Sequence, residues 1–201
     1  MKILLKKIFT YICIFFFSIL FSFYLFETYL ILSLKGNNYK EIVDEYKNRT
    51  GKNYDERIKI DVYKDLKKID NKIYVSMYPM AHLLSKNSDL FPLSGVSNVK
   101  SIHCNENGYY SIYLSDRFGF NNPDFEWDSK EIEFLLIGDS YAHGACVNRP
   151  DDMASSLREI SKKNVLNLGF TGNGPLIEYA TLKEYLPKKV KNVLWIYYAG
   201  N

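Results

Sequence analysis

Three apolar runs in the second half of the chain each end in a polar turn that carries glycine. Ser140 lies just after the first run, in the triplet Gly-Asp-Ser; Gly172 lies in the turn after the second, and Asn201 in the turn after the third. An apolar run of this length, bounded by turn residues, is typical of a buried strand. A serine, a glycine turn and an asparagine are thus predicted at matching points, each just after a strand.

These three residue types are the ones that acyl transfer needs. A serine hydroxyl that attacks an acyl carbon creates a negatively charged oxygen, and one donor placed near that oxygen lowers the barrier by roughly 3 to 4 kcal/mol. The natural donors are the backbone N–H groups of Ser140 and Gly172 and the side-chain amide of Asn201. The sequence therefore predicts Ser140 as a nucleophile, with Gly172 and Asn201 in an oxyanion hole.

The segments around these residues alternate between strand and helix patterns. Strands and helices are predicted, in chain order, at 132–137, 151–162, 165–168, 176–186 and 193–198. Asp151 or Asp152 suits the cap of the first helix, and Pro175 suits the start of the second. This order predicts a parallel sheet, whose loops after the strands share one edge where ligands bind. We therefore expect the three candidate residues to converge at that edge.

The same residues resemble the signature blocks of the SGNH/GDSL hydrolase superfamily, over about 132–201. Gly138-Asp139-Ser140 resembles its nucleophile block, 167–172 its oxyanion-glycine block, and Gly200-Asn201 the start of its Gly-x-Asn-Asp block. Gly-Asp-Ser alone would arise by chance in roughly one chain in twenty of this length, so the ordered set carries the resemblance. It implies an α/β fold, a three-layer α/β/α flavodoxin-like parallel sheet that is incomplete here, and activity on acyl esters.

The family's general base and its orienting acid lie in a C-terminal Asp-x-x-His block, which does not occur before Asn201. The chain is therefore expected to be the N-terminal part of a longer hydrolase or a truncated gene product. His143 shares an element with Ser140, so its ring is not expected to face the hydroxyl as a base must. Two functions stay open, a serine esterase or O-acyltransferase and a non-catalytic binding or assembly protein.

The N-terminus is almost entirely apolar. There is no charged residue from 8 to 26, and the apolar pattern resumes after Glu27, which is enough for a hydrocarbon core that needs about 20 residues. Lys2, Lys6 and Lys7 precede the run, and the positive-inside rule leaves them in the cytoplasm. A cleaved signal peptide is the alternative, but no small-x-small site follows. We expect a single-pass anchor in the cell membrane and an exported main domain, periplasmic or extracellular.

The patterns divide the chain into three regions. These are the cytoplasmic N-terminus and anchor at 1–35, a mixed α/β accessory region at 36–128 and the truncated hydrolase-like domain at 129–201. Cys13 lies in the anchor, so Cys104 and Cys146 are the pair available for a disulfide, which export permits. Sequence spacing does not tell whether their Cα atoms come within bridging distance, so two unlinked thiols are the alternative.

Composition argues against several other classes of function. The formal net charge is only +3 and the lysines are interspersed with acids, so no nucleic-acid partner is expected. The histidines and cysteines lack the short spacings of zinc sites, so no metal is expected. The glycine-rich stretch 169–174 has neither phosphate-loop nor dinucleotide spacing, so no cofactor is expected. The expected partner is an acyl-ester substrate, such as an envelope polysaccharide or a lipid.

Overall fold

The computed structural model describes residues 2–83 and 90–198, which form a mixed α/β chain of two compact units. The first unit, Met1–Tyr54, is dominated by one long helix, α1 (Lys2–Thr50). Its segment Lys6–Ser33 has a mean hydropathy of 2.2. This segment is long and apolar enough to cross a membrane, a property that a signal sequence shares.

The second unit, Asp55–Asn201, contains the other elements. Its helices are α2 (Lys59–Lys67), α3 (Met80–Leu83), α4 (Ser140–His143), α5 (Met153–Ser161) and α6 (Pro175–Tyr185), with one 3₁₀ helix at Asp124–Asp128. Its strands are β1 (Ile73–Val75), β2 (Lys100–Ile102), β3 (Ile112–Leu114), β4 (Ile132–Gly138), β5 (Val165–Asn167) and β6 (Val190–Ile196). These strands form two sheets of three strands each.

The first sheet has the order β1-β2-β3, with β1 parallel and β3 antiparallel to β2. Val62 of α2 packs with Ile73 and Ile102, and these three buried side chains form the core under the sheet. These short strands form a small sheet within the accessory region that the sequence predicted as mixed α/β.

The second sheet is parallel throughout and has the order β5-β4-β6, as the alternating strand and helix patterns predicted. The carboxylate of Asp152 caps α5 by accepting a hydrogen bond from Ser155 N at 3.0 Å, and Pro175 opens α6. Strand β6 begins at Val190, three residues before the prediction. The apolar pattern missed its start because Lys191, on this edge strand, is polar and pairs with Glu133 at 2.9 Å.

Helices α5 and α6 pack on opposite faces of β4. Leu135 and Ile137 belong to the core cluster against which Leu182 of α6 packs. Leu136, between them in sequence, belongs instead to the cluster that contains Ala154 of α5. Successive side chains of a strand point to opposite faces, so each face of this sheet has its own helix. The central strand is therefore buried on both sides and holds its carboxyl end rigidly.

Candidate active-site cleft

Ser140 lies at the carboxyl end of the central strand. β4 ends at Gly138, Asp139 is the N-cap of α4, and Ser140 is the first residue of that one-turn helix. One carboxylate oxygen of Asp139 accepts a hydrogen bond from Tyr141 N at 3.1 Å. Asp139 thus stabilises the turn, as expected for an aspartate at a helix start. The serine is held at the edge of the sheet, where its half-buried side chain faces a cleft.

The loop after β5 is hydrogen-bonded to the carboxyl end of β4, at the same edge of the sheet. Leu168 N donates to Leu136 O at 2.8 Å, and Phe170 N donates to Gly138 O at 3.1 Å, so the loop continues the pairing with β4 after the strand ends. Asn167 reaches across to α4, where its side-chain amide donates to Ala142 O. The structure therefore brings Ser140 and the turn that contains Gly172 to one edge of the sheet.

Gly169 gives the loop its close approach to α4. A Cβ at this position would lie 2.4 Å from Ala142 Cβ and 2.7 Å from His143 N, closer than real Cβ contacts allow. We expect Gly169→Ala to lower the free energy of unfolding by about 2 to 3 kcal/mol, because α4 must move. Urea unfolding of the chain in detergent micelles, followed by tryptophan fluorescence, measures this.

Gly174→Ala is the matched control for that substitution. A Cβ at Gly174 meets nothing within 4 Å, so the free energy of unfolding of this variant should lie within about 0.5 kcal/mol of that of the parent. If Gly169→Ala were as stable as Gly174→Ala, the loop would not be packed on α4 as described.

Thr171 is the residue of this loop that lines the cleft, and Gly172 follows it in the chain. Thr171 lines the cleft together with Ser140 and Tyr78. Gly172 has a φ of +80°, a conformation that favours glycine, and a Cβ there would lie 3.1 Å from Tyr78 Cβ. Within the described residues, the N–H groups of Ser140 and Gly172 donate no hydrogen bond. Two backbone donors are thus available at this edge of the sheet.

Asn201, the third predicted site residue, lies outside the described residues, which end at Tyr198. The strand that leads to it ends beside the serine turn. Ile196 pairs with Gly138, and the ring of Tyr198 stacks on that of Tyr141 with centroids 5.3 Å apart. The carboxyl end of β6 therefore reaches the immediate neighbour of Ser140.

His143 is a buried structural histidine. Its ring is 1% exposed and stacks on Phe170 with centroids 4.7 Å apart. Its Nδ1 accepts a hydrogen bond from Thr171 N at 3.1 Å and lies 2.9 Å from the Thr171 hydroxyl. A neutral imidazole that accepts at Nδ1 carries its proton on Nε2, which has no partner within the described residues. His143 therefore positions the turn before Gly172, and it makes no hydrogen bond to Ser140 in this structure.

A second buried histidine lies against the first. The rings of His103 and His143 meet edge to face with centroids 4.8 Å apart, and Tyr113 contacts both. Burial, and then the charge of Lys59, lowers the pKa of His103 to about 4, and burial raises the pKa of Tyr113 to about 12. Burial, and then His103, lowers the pKa of His143 well below its ordinary value. All three rings are therefore neutral at pH 7.

Cys104 and Cys146 form a disulfide, so the alternative of two unlinked thiols is wrong for this structure. Their Cα atoms are 4.8 Å apart, and Asn107 strengthens the link by donating from its side-chain amide to Cys146 O at 3.0 Å. His103 Nδ1 lies 2.7 Å from Cys104 Sγ. These ligand-type atoms are close together, but sulfurs that are bonded to each other are not thiolates and do not bind zinc. The disulfide links the accessory region covalently to the segment after α4.

The cleft has a volume of about 560 Å³. Its walls come from the accessory region, from α4 and the loop after it, from the start of α5 and from the loop after β5. The residues that line it are Tyr78, His103, Cys104, Glu106, Asn107, Ser140, Tyr141, Gly144, Ala145, Val147, Asp151, Asp152, Met153 and Thr171. Within the described residues, the Ser140 hydroxyl makes no hydrogen bond, so it is available to a ligand.

Several residues of this site were not found by sequence reasoning. Tyr78 was assigned to an undifferentiated accessory region, yet it lines the cleft and covers Gly172. Asn121, which also lies in the region predicted only as accessory, donates from its side-chain amide to His143 O at 3.0 Å and holds the end of α4. Only the Asn-Asn dipeptide before proline marked it in the sequence. Tyr78 had no comparable signal, because its role depends on a contact far along the chain.

No protein-family model, curated protein or solved structure matches this chain. The geometry of the cleft and the residues that line it are therefore the observations from which a function is inferred.

Proposed function

We propose that this chain is a membrane-anchored serine esterase or O-acyltransferase of the SGNH/GDSL type that acts on acyl esters outside the cytoplasmic membrane. Ser140 is the nucleophile, and the N–H of Gly172 and the side-chain amide of Asn201 bind the oxyanion. The observation that carries the proposal is the position of Ser140. It opens a helix at the carboxyl end of the central parallel strand, at the same sheet edge as the loop that contains Gly172, whose backbone N–H donates no hydrogen bond within the described residues.

The proposed fold is a flavodoxin-like sheet between two helical layers. Two observations support it, the parallel order β5-β4-β6 and the packing of α5 and α6 on opposite faces of β4. Ligands of such sheets bind outside the carboxyl ends of the strands, near the point where the strand order reverses. Here the chain passes from β4 to β5 on one side and then to β6 on the other, so that point lies at β4, next to Ser140.

The proposed location follows from α1. Its segment Lys6–Ser33 serves as an uncleaved span, and Lys2, Lys6 and Lys7 keep the N-terminus in the cytoplasm. The cleft is then exported, to a compartment in which a disulfide persists. The bond between Cys104 and Cys146 at the cleft wall agrees with that assignment.

The reaction proceeds through a covalent intermediate. The Ser140 oxygen bonds to the acyl carbon and its proton passes to a base, while the N–H groups of Ser140 and Gly172 stabilise the oxyanion. The bond between the acyl carbon and the ester oxygen breaks, and the alcohol leaves with the proton that the base held. Water or a sugar hydroxyl then attacks the acyl group, and its proton returns through the base to the Ser140 oxygen as the acyl–serine bond breaks. An esterase and an acyltransferase share every step except the last.

Within the described residues, no base is hydrogen-bonded to the Ser140 hydroxyl. His143 and His103 are buried, and neither makes a hydrogen bond to the Ser140 hydroxyl. General-base assistance contributes about 10² to 10⁴ in rate, so the chain by itself should acylate very slowly. This observation favours a second candidate function, a binding or assembly protein that keeps the cleft without turnover.

Covalent labelling tests the nucleophile directly. We expect an aryl fluorophosphonate, incubated with the full chain in detergent micelles at pH 9, to modify Ser140 slowly and in preference to other serines. Hydrolysis of p-nitrophenyl acetate should not exceed that of micelles alone, because no base contacts the Ser140 hydroxyl in the part of the chain that the structure describes. Peptide mapping by mass spectrometry identifies the labelled residue.

Ser140→Ala is the control, and Ser129 and Ser155 are internal references on the same chain. Label spread evenly over these serines, or unchanged in Ser140→Ala, would reject the nucleophile and leave the binding function. Fast ester turnover that disappears in Ser140→Ala would instead show that a base such as His143 is present.

A further inference from the structure

The cleft that contains Ser140 carries charge of one sign. Among the described residues that line it, Glu106, Asp151 and Asp152 are acidic and none is a lysine or an arginine. The whole chain has 26 lysines and arginines against 23 acids, so the cleft departs from the average surface. A site lined by one sign of charge attracts ligands of the opposite sign.

Two of these carboxylates are accessible to a ligand. Glu106 and Asp151 are exposed, and within the described residues neither has an ion-pair partner. Asp152 is buried and its oxygens are used by Ser155 at the start of α5. Arg149 interacts electrostatically with Asp152, but it donates to Leu114 O and does not line the cleft. The accessible charge of the cleft is therefore negative.

Aromatic rings line the same space. Tyr78 is 43% exposed and Tyr141 is 54% exposed, and both line the cleft with Ser140. The face of a tyrosine ring attracts a cation within about 6 Å. Carboxylates and tyrosine rings around one cavity form a site suited to an ammonium group, whereas a carboxylate or phosphate would be repelled there.

We propose that the cleft binds an acyl-ester substrate that carries a protonated amine, such as an ester of an amino sugar with a free amino group. The assignment of the ester rests on the proposed function, while the preference for a cation rests on the walls of the cleft alone. Glu106 and Asp151 attract the ammonium group, and Tyr78 and Tyr141 contact the sugar beside it. The same walls exclude uronic acids and phosphorylated sugars.

Binding of a matched set of oligosaccharides tests the preference. The full chain in non-ionic detergent micelles is titrated by calorimetry at pH 6 and low salt with tetramers of glucosamine, N-acetylglucosamine and galacturonic acid. These probes are cationic, neutral and anionic. We expect the glucosamine tetramer to bind most tightly and the galacturonate tetramer most weakly. In a double variant, Glu106→Gln with Asp151→Asn, the glucosamine tetramer should bind roughly three- to tenfold more weakly.

The control is a double variant with the same change in net charge, Glu159→Gln with Glu184→Gln, whose acids lie on α5 and α6 away from the cleft lining. It should bind glucosamine as the parent does. Equal binding of the cationic and neutral tetramers, no binding of the cationic tetramer at millimolar concentration, or equal losses in the two double variants would overturn the proposal. Selective binding without labelling of Ser140 would reject only the nucleophile.

Discussion

Lowering the pH from about 6.5 to 4 is expected to destabilise the second unit by several kcal/mol. The cause is the buried pair of His103 and His143, because burial disfavours the protonated form of both rings in the folded chain. The ordinary pKa of histidine is 6.5, and burial lowers the pKa of His103 to about 4. The difference between these two pKa values corresponds to a loss of about 3 kcal/mol in the free energy of unfolding. The pKa of His143 is also lowered, so this residue adds to the loss.

The direction of this pH effect follows from the number of protons that the folded and unfolded chains bind. Between pH 6.5 and 4 the unfolded chain binds protons at both histidines and the folded chain does not, so acid favours unfolding. Stability is complete above pH 6.5 and is lost as the pH falls through this window. Lys59 repels a proton on His103, and His103 repels one on His143. Burial raises the pKa of Glu126, so the folded chain takes up a proton there at a higher pH than the unfolded chain does. Protonation of Glu126 therefore opposes the loss of stability in acid, but only near its own pKa.

Unfolding by urea at pH 7, 6, 5 and 4.5, followed by tryptophan fluorescence, measures how the free energy of unfolding depends on pH. His103→Gln and His143→Gln should each reduce the dependence of stability on pH, whatever they do to stability at pH 7. Gly174→Ala, a change outside the histidine pair whose new Cβ meets nothing within 4 Å, should leave this pH dependence unchanged. A flat profile in the parent would mean that the two histidines are not buried as neutral rings.

Reduction of the Cys104–Cys146 disulfide is expected to cost about 4 kcal/mol of unfolding free energy. The sequence separation is 42 residues, and closing a loop of that length removes this much free energy from the unfolded state in the chain-entropy account. The bond also joins the accessory region to the segment after α4, so its loss should widen the cleft. Cys104→Ser with Cys146→Ser, compared with the parent by urea unfolding, measures the effect.

Cys13→Ser is the control for this pair, because Cys13 lies exposed in α1 and has no bonded partner. Its unfolding should match the parent, in the presence and absence of a dithiol reductant. If the double variant were as stable as Cys13→Ser, the disulfide would be absent in solution or its loop would already be ordered in the unfolded chain.

The parallel sheet could be predicted from the sequence because each strand and helix carries its own local signals. The apolar runs before Ser140 and after Ser161, the cap at Asp152 and the proline at 175 all specify elements without reference to the rest of the chain. The turn at Ser140 follows from the same logic, since a strand that ends in Gly-Asp-Ser before a helix leaves its serine at the sheet edge.

The walls of the cleft could not be predicted in the same way, because they depend on contacts between distant residues. Tyr78 meets Gly172, and His103 meets His143, only after the accessory sheet docks on the parallel sheet. The disulfide stayed an open alternative for the same reason, since spacing alone does not give a Cα separation. Helix α1 continues to Thr50 through a charged stretch that apolar periodicity does not identify as part of the span.

The most direct test of the central claim is a crystal structure of the chain after fluorophosphonate labelling. We expect phosphorus bonded to the Ser140 oxygen and a phosphonyl oxygen about 2.7 to 3.1 Å from the backbone nitrogens of Ser140 and Gly172. An adduct whose oxygen points away from both nitrogens, or a Gly172 N–H that is already bonded within the protein, would contradict an oxyanion hole at this edge of the sheet.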